Sequence, residues 1–171
     1  MAVSNIRKNK KLYVPYIITA IFTVMMFFMN ISIVKNKNVA AMRGGQNVVL
    51  LLQVALVVSF IFSAIFLFYT NSFLMKRRTK EIGLYNILGM EKKHISLMML
   101  FENVIITTIS LTAGIVFGII FSRLMFLVLM KLIKADSVPA FVISTNAVVV
   151  TIIYFISIFA VIFIYNFVKV Q

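Results

Sequence analysis

The chain has 171 residues, 63% of them hydrophobic and 12% charged, with a mean hydropathy of +1.09. A soluble domain holds about 45–50% apolar and about 25% charged residues, so a water-exposed globule is excluded and the solvent must be lipid. The net charge of +13, from 17 Lys and Arg against 4 Asp and Glu, points in such a protein to anionic lipid headgroups and a cytoplasmic side rather than to nucleic acid.

Four uncharged stretches are long enough to cross a bilayer, which takes about 20 predominantly apolar residues in a helix. They run from Leu12 to Val34, from Gly44 to Met75, from Asn103 to Ser122 with apolar shoulders, and from Ser137 to Val168. Only helices and closed barrels satisfy their backbone in hydrocarbon, and no short alternating pattern suggests a barrel. The expectation is one all-α, polytopic membrane domain over 1–171, with spanning helices at about 12–34, 46–75, 95–131 and 139–168 and a short cytoplasmic coupling helix within 76–94.

The first span follows Arg7, Lys8, Lys10 and Lys11, a layout shared with signal peptides. Its 23 residues exceed the about 7–15 of a signal core, so a retained helix is expected. Pro15 falls in the first turn of a helix starting at Leu12, where its missing N–H costs little.

The basic residues then orient the spans. Eleven lie before the first span, between the second and third, and after the fourth: the four just named, Lys76, Arg77, Arg78, Lys80, Lys92, Lys93 and Lys169. Five lie on the other side, namely Lys35, Lys37, Arg43, Lys131 and Lys134. Both termini are therefore expected in the cytoplasm. Arg123, about 42 Å up a continuous helix from Ile95, is expected to snorkel to outer headgroups. The outer links 35–43 and 131–136 are too short to form a domain.

Residues 76–94 make the only sizeable segment outside the spans, with charged ends and an apolar centre. Leu84 and Leu88 are four apart with Tyr85 beside them, so a two-turn helix here presents an apolar knob, and Gly89 sits where it stops. Two readings are open: a basic turn resting on anionic lipid, or a docking element with Leu84, Tyr85 and Leu88 as anchors.

The run Arg78-x-x-Glu81-Ile82-Gly83-x-x-x-x-Leu88-Gly89, followed by Ile95, Glu102 and the glycines of a membrane helix, resembles the permease domain of FtsX-like ABC transporters. That group includes MacB-type and bacitracin-resistance (BceB-type) permeases. The resemblance implies that Arg78, Glu81, Ile82, Gly83, Leu84, Tyr85, Leu88 and Gly89 form the element that couples to a cytoplasmic ABC ATPase. FtsX and MacB types carry a large external domain between their first two helices, which the nine residues 35–43 do not provide. The layout is similar to the first four helices of the bacitracin-resistance type, and the expectation is an N-terminal half or a truncated product of such a permease. The resemblance further implies a bacterial cytoplasmic membrane location, removal of peptide antibiotics from lipid-linked cell-wall precursors, and signalling to a membrane histidine kinase. The remaining permease half or a second permease copy would be partners, besides anionic lipids. A rival reading is a truncated, non-transporting membrane module of structural or regulatory kind.

In the third span Ser110, Gly114, Gly118 and Ser122 recur every four residues, a ladder of small side chains that lets another helix approach closely. Glu102 lies about 10 Å along that helix from Ile95. An intramembrane acid is a functional candidate by default, and here an ion pair or hydrogen bond with Arg78 or Lys80 is favoured over proton transfer. Asn30, Gln53, Asn71, Asn103 and Asn146 are candidates for interhelical hydrogen bonds. With no Cys and one His, neither a thiolate nor a metal cage is available, and no cofactor is expected. No Gly-x-x-x-x-Gly-Lys-Ser/Thr loop is present, and no nucleophile–base pair is evident. The chain is thus read as a non-enzyme whose partner hydrolyses ATP.

Overall fold

The computed structural model describes residues 2–36, 45–90, 92–132 and 144–170, and within them every side chain but those at 2–4, 45, 80, 86, 92 and 170. All regular structure among the described residues is helical: α1 (Ala2–Lys8), α2 (Lys10–Val34), α3 (Gly45–Ile87), α4 (Lys92–Leu132) and α5 (Thr145–Val170). Helices α2 to α5 are each long and apolar enough to cross a membrane. The expected four-span, all-α class is the one adopted.

The central element is α2, which packs most extensively on α4 and next on α3, and also touches α5, whereas α3 and α4 meet only sparsely. The main core runs along it, with Ala20, Val24, Phe27, Phe28 and Ile31 meeting Ile106 and Leu111 of α4 and Phe155, Ile158, Phe159 and Ile162 of α5. In lipid, this packing is held by dispersion and close fit rather than by escape from water. Tyr154 of α5 stacks on Phe27 and Phe60, with centroids 4.8 and 4.1 Å away. Its hydroxyl donates to the Phe60 carbonyl and lies 2.9 Å from Ser63 Oγ.

The ladder of small residues in α4 faces inward, with Ser110, Gly114, Gly118 and Ser122 all buried. A Cβ at Gly114 would lie 2.6 Å from Val24 Cβ and 3.1 Å from the Ile21 carbonyl, and one at Gly118 would lie 2.7 Å from Phe28 Cδ1. The helix that these glycines admit is therefore α2 of the same chain. Other polar groups cross-link the bundle. Asn30 donates to Ser59 at 2.9 Å, Asn71 and Asn166 exchange a reciprocal amide pair at 3.0 and 3.1 Å, and Asn103 donates to the Phe159 carbonyl at 3.3 Å. Gln53 and Asn146, candidates of the same kind, lie instead on the exposed surface.

Several bounds differ from the sequence reading. Helix α2 begins at Lys10, which moves Pro15 into the second turn and leaves the Lys11 carbonyl without its usual i+4 donor. A short helix, α1, precedes it and was not anticipated. The turn of helix expected around 84–88 is present as the last part of α3, which ends at Ile87, because no proline follows Met75, the charged stretch 76–81 continues in register and the single Gly83 weakens the helix without ending it. The expected start of the fourth helix near 139 lies outside the described residues, as do most of both outer links.

Candidate functional site

At 43 residues, α3 is about 65 Å long, roughly twice the hydrocarbon thickness. Its last turns therefore project beyond the membrane on the side that carries Lys76, Arg77 and Arg78. The helix stops at a Schellman turn in which Gly89 has φ +83° and the Met90 N–H bonds to the Tyr85 carbonyl at 3.0 Å. Lys92 then opens α4, which returns toward the membrane.

The projecting turns have two faces. Ile82 is buried with Met75 of α3 and Ile95 and Met99 of α4, and Tyr85 packs partly against that cluster. The opposite face bears Leu84, Ile87 and Leu88, which are 56, 84 and 71% exposed. Gly83, on the same side, has no atom within 4 Å of where a Cβ would stand, so bare backbone is offered beside the three apolar side chains. An exposed apolar patch of this kind suits contact with either a protein partner or a membrane surface. Of the three anchors expected from the sequence, Leu84 and Leu88 lie on this face while Tyr85 is half turned into the support beneath it. Ile87 was missed by the sequence reading although its place three residues after Leu84 and one before Leu88 is the spacing of a single helix face.

Under the projecting turns lies a buried polar junction between four elements. The Arg78 guanidinium donates to Glu102 from Nη1 at 2.5 Å and from Nη2 at 3.3 Å. Glu102 also accepts from Tyr13 Oη of α2 at 2.8 Å and from Asn5 Nδ2 of α1 at 2.6 Å. Arg78 lies over the Tyr13 ring, 5.3 Å from its centroid, and its Nε is 3.9 Å from Glu81. Asn9 occupies the N-cap position of α2 but makes no side-chain cap bond there; its amide reaches Glu81 at 3.0 Å instead. A buried carboxylate is tolerable only when paired and hydrogen-bonded, and Glu102 has both. The alternative partner weighed from sequence, Lys80, has its side chain outside the described residues.

Every Glu102 oxygen is engaged by a donor from another element, and among the described residues no group of His, Cys, Asp or Glu could hold a metal ion. Asn5, Asn9 and Tyr13 were not singled out from sequence, since only folding brings residues 72 to 97 positions apart together.

A family model described as the FtsX-like permease C-terminal matches residues 53–170. The bacitracin export permease protein BceB of Bacillus subtilis (strain 168) is 32% identical over 171 residues, an alignment spanning 98% of this chain and 26% of that protein. BceB of Halalkalibacterium halodurans is 29% identical, spanning 100% of this chain and 26% of the relative. The uncharacterized ABC transporter permease YvcS of Bacillus subtilis is 32% identical over 161 residues, 93% of this chain and 25% of the relative. The chain thus spans about a quarter of the length of these curated relatives.

Proposed function

The chain belongs to the FtsX-like permease family of ABC transporters, and from that premise we propose that its projecting turns receive a cytoplasmic ATPase. The observation that carries this is the exposed Leu84, Ile87 and Leu88 face, outside the hydrocarbon and rimmed by exposed basic residues such as Lys76 and Lys93. Apolar anchors hold such an interface, while rim charges steer encounter. Both termini then face the cytoplasm, in keeping with the basic excess at that end.

Closure of the ATPase on bound ATP pushes the end of α3. Because α3 packs on α2 far more than on α4, the displacement passes directly into α2, and the Arg78–Glu102–Tyr13 junction carries it to α4 as well. The two BceB relatives are named for bacitracin export, and the coupled task is read as handling of a peptide antibiotic of that kind at the outer surface. Removal of such peptides from lipid-linked precursors and reporting to a membrane histidine kinase complete the proposal.

The test is co-purification of the full permease with a cytoplasmic ABC ATPase from the same organism. Leu84→Ala/Leu88→Ala is expected to abolish recovery of the ATPase at moderate salt, with a loss of about 2 kcal/mol or more. Lys76→Ala/Lys93→Ala should slow association and weaken its salt dependence. Full recovery with the double Leu variant would leave the non-transporting membrane module as the better reading.

A further inference from the structure

We infer that the cleft between α2 and α3 at the basic end of the bundle is a binding site for one anionic phospholipid. The cleft holds about 290 Å³, near the small end of the range for ligand sites. Lys11 and Arg77 stand at its rim, and Pro15, Tyr16, Phe73 and Leu74 line it further in. Arg77 is held over the Phe73 ring, 4.8 Å from the centroid, which orients its planar fork of donors. A guanidinium beside an ammonium suits a phosphodiester, which the fork can grip with two parallel hydrogen bonds.

The depth of the cleft also fits. Tyr16 lies five residues beyond Lys11 and Leu74 three before Arg77, so the cleft runs about 5–8 Å from the charged rim toward the hydrocarbon. That is the distance between a lipid phosphate and its ester groups. Tyr16 supplies a second, independent observation. It is 3% exposed, yet its hydroxyl finds no hydrogen-bond partner among the described residues. Buried hydroxyls rarely go unpaired, because desolvation is then uncompensated; this one is closed off from the cleft as it stands, and a lipid ester carbonyl at this depth would accept from it once the ring shifts toward the cleft that it lines. The exposed Phe73 face offers apolar contact for the first methylenes of an acyl chain.

This assignment rests on the membrane position of the bundle and not on the ATPase reading, and it stands whichever way the chain is oriented. It is tested by native mass spectrometry of the full protein released from detergent containing equal amounts of phosphatidylglycerol and phosphatidylcholine of matched chains. One phosphatidylglycerol adduct should be retained preferentially. Lys11→Gln/Arg77→Gln should lower that retention about tenfold, and Tyr16→Phe about threefold. Arg123→Gln/Lys131→Gln removes the same charge at the other end of the bundle and should leave the adduct intact. Equal losses in the two double variants would overturn the site in favour of diffuse attraction. Displacement of the adduct by millimolar inorganic phosphate would reassign it to a soluble phosphate. A melting measurement guards against misfolding. Without lipid, Tyr16→Phe should melt at or above the parent temperature, and added phosphatidylglycerol should raise it less than in the parent. A Tyr16→Phe protein that keeps full lipid retention would show the hydroxyl to be served by something else and overturn the assignment.

Discussion

Arg78 and Glu102, 24 residues apart on neighbouring helices, form a two-point ion pair in which both side chains are only 3% exposed. The pair ties the base of the projecting turns of α3 to the membrane part of α4, two helices that otherwise touch little. Charges so deeply buried add little net stability compared with apolar residues of similar volume, but removing one partner strands the other. The pair therefore locks the position of one helix relative to the other more than it strengthens the fold.

Glu102→Leu alone is expected to destabilise the bundle by about 3–5 kcal/mol, and Arg78→Met/Glu102→Leu to recover most of that loss. Thermal unfolding in detergent of the two single variants and the double one reads the coupling directly. A double variant whose loss equals the sum of the singles would show that the two side chains do not act as a pair.

Gly114→Ala forces a methyl against Val24 Cβ and the Ile21 carbonyl, neither of which is the free end of a flexible side chain. The expected cost is about 1–3 kcal/mol, with part of it returned by adding Val24→Ala. Gly118→Ala meets the Phe28 ring, which is wholly buried and has little room to turn, so a similar loss is expected. Since the helix admitted is α2, the loss should appear in melting of the isolated chain and not only in association with other subunits.

The two glycines of the projecting turns should respond in opposite directions. Gly89 holds φ +83°, and Gly89→Ala should cost about 1–2 kcal/mol. Gly83 is helical with open space around it, so Gly83→Ala should stabilise the chain by roughly 0.5–1 kcal/mol. If the partner ATPase packs against bare backbone there, the same substitution lowers ATPase recovery while it raises the melting temperature. A Gly83→Ala protein that binds the ATPase as the parent does would confine the interface to the Leu84, Ile87 and Leu88 side chains.

Orientation can be read with single cysteines, because the chain has none of its own. Leu132→Cys at the far end of α4 should react with a membrane-impermeant maleimide in intact cells, and Leu88→Cys only after permeabilisation. Both positions are exposed in the chain alone, at 78 and 71%, and a high-salt wash after permeabilisation removes any ATPase seated over Leu88 before labelling. Labelling of Leu88→Cys in intact cells would reverse the proposed topology.

How much of this was legible in the residues themselves differs from element to element. The number of membrane-crossing helices followed from apolar run length, because lipid leaves the backbone no other way to satisfy itself. Gly89 as a helix stop and the small-residue face of α4 were equally readable, since a left-handed turn and a close helix approach each demand a particular residue type. The inner boundary of α3 was not. A change from apolar to charged residues marks where hydrocarbon ends, and nothing in it tells a helix to end as well.

Composition and run length were enough to specify the solvent, the helical class, the basic end of the bundle and the presence of one acid that needed a partner. Packing was needed to choose Arg78 over Lys80 and to add Tyr13 and Asn5, to seat α2 rather than another subunit in the groove at Gly114 and Gly118, and to turn Tyr85 inward. The physical reason is that hydropathy is a property of each residue in turn. In a chain whose inner and lipid-facing surfaces are both apolar, hydropathy carries no contrast between them. Which helices meet is then decided by steric fit and by a few polar pairs far apart in the chain, and these are specified only once all the helices are packed together.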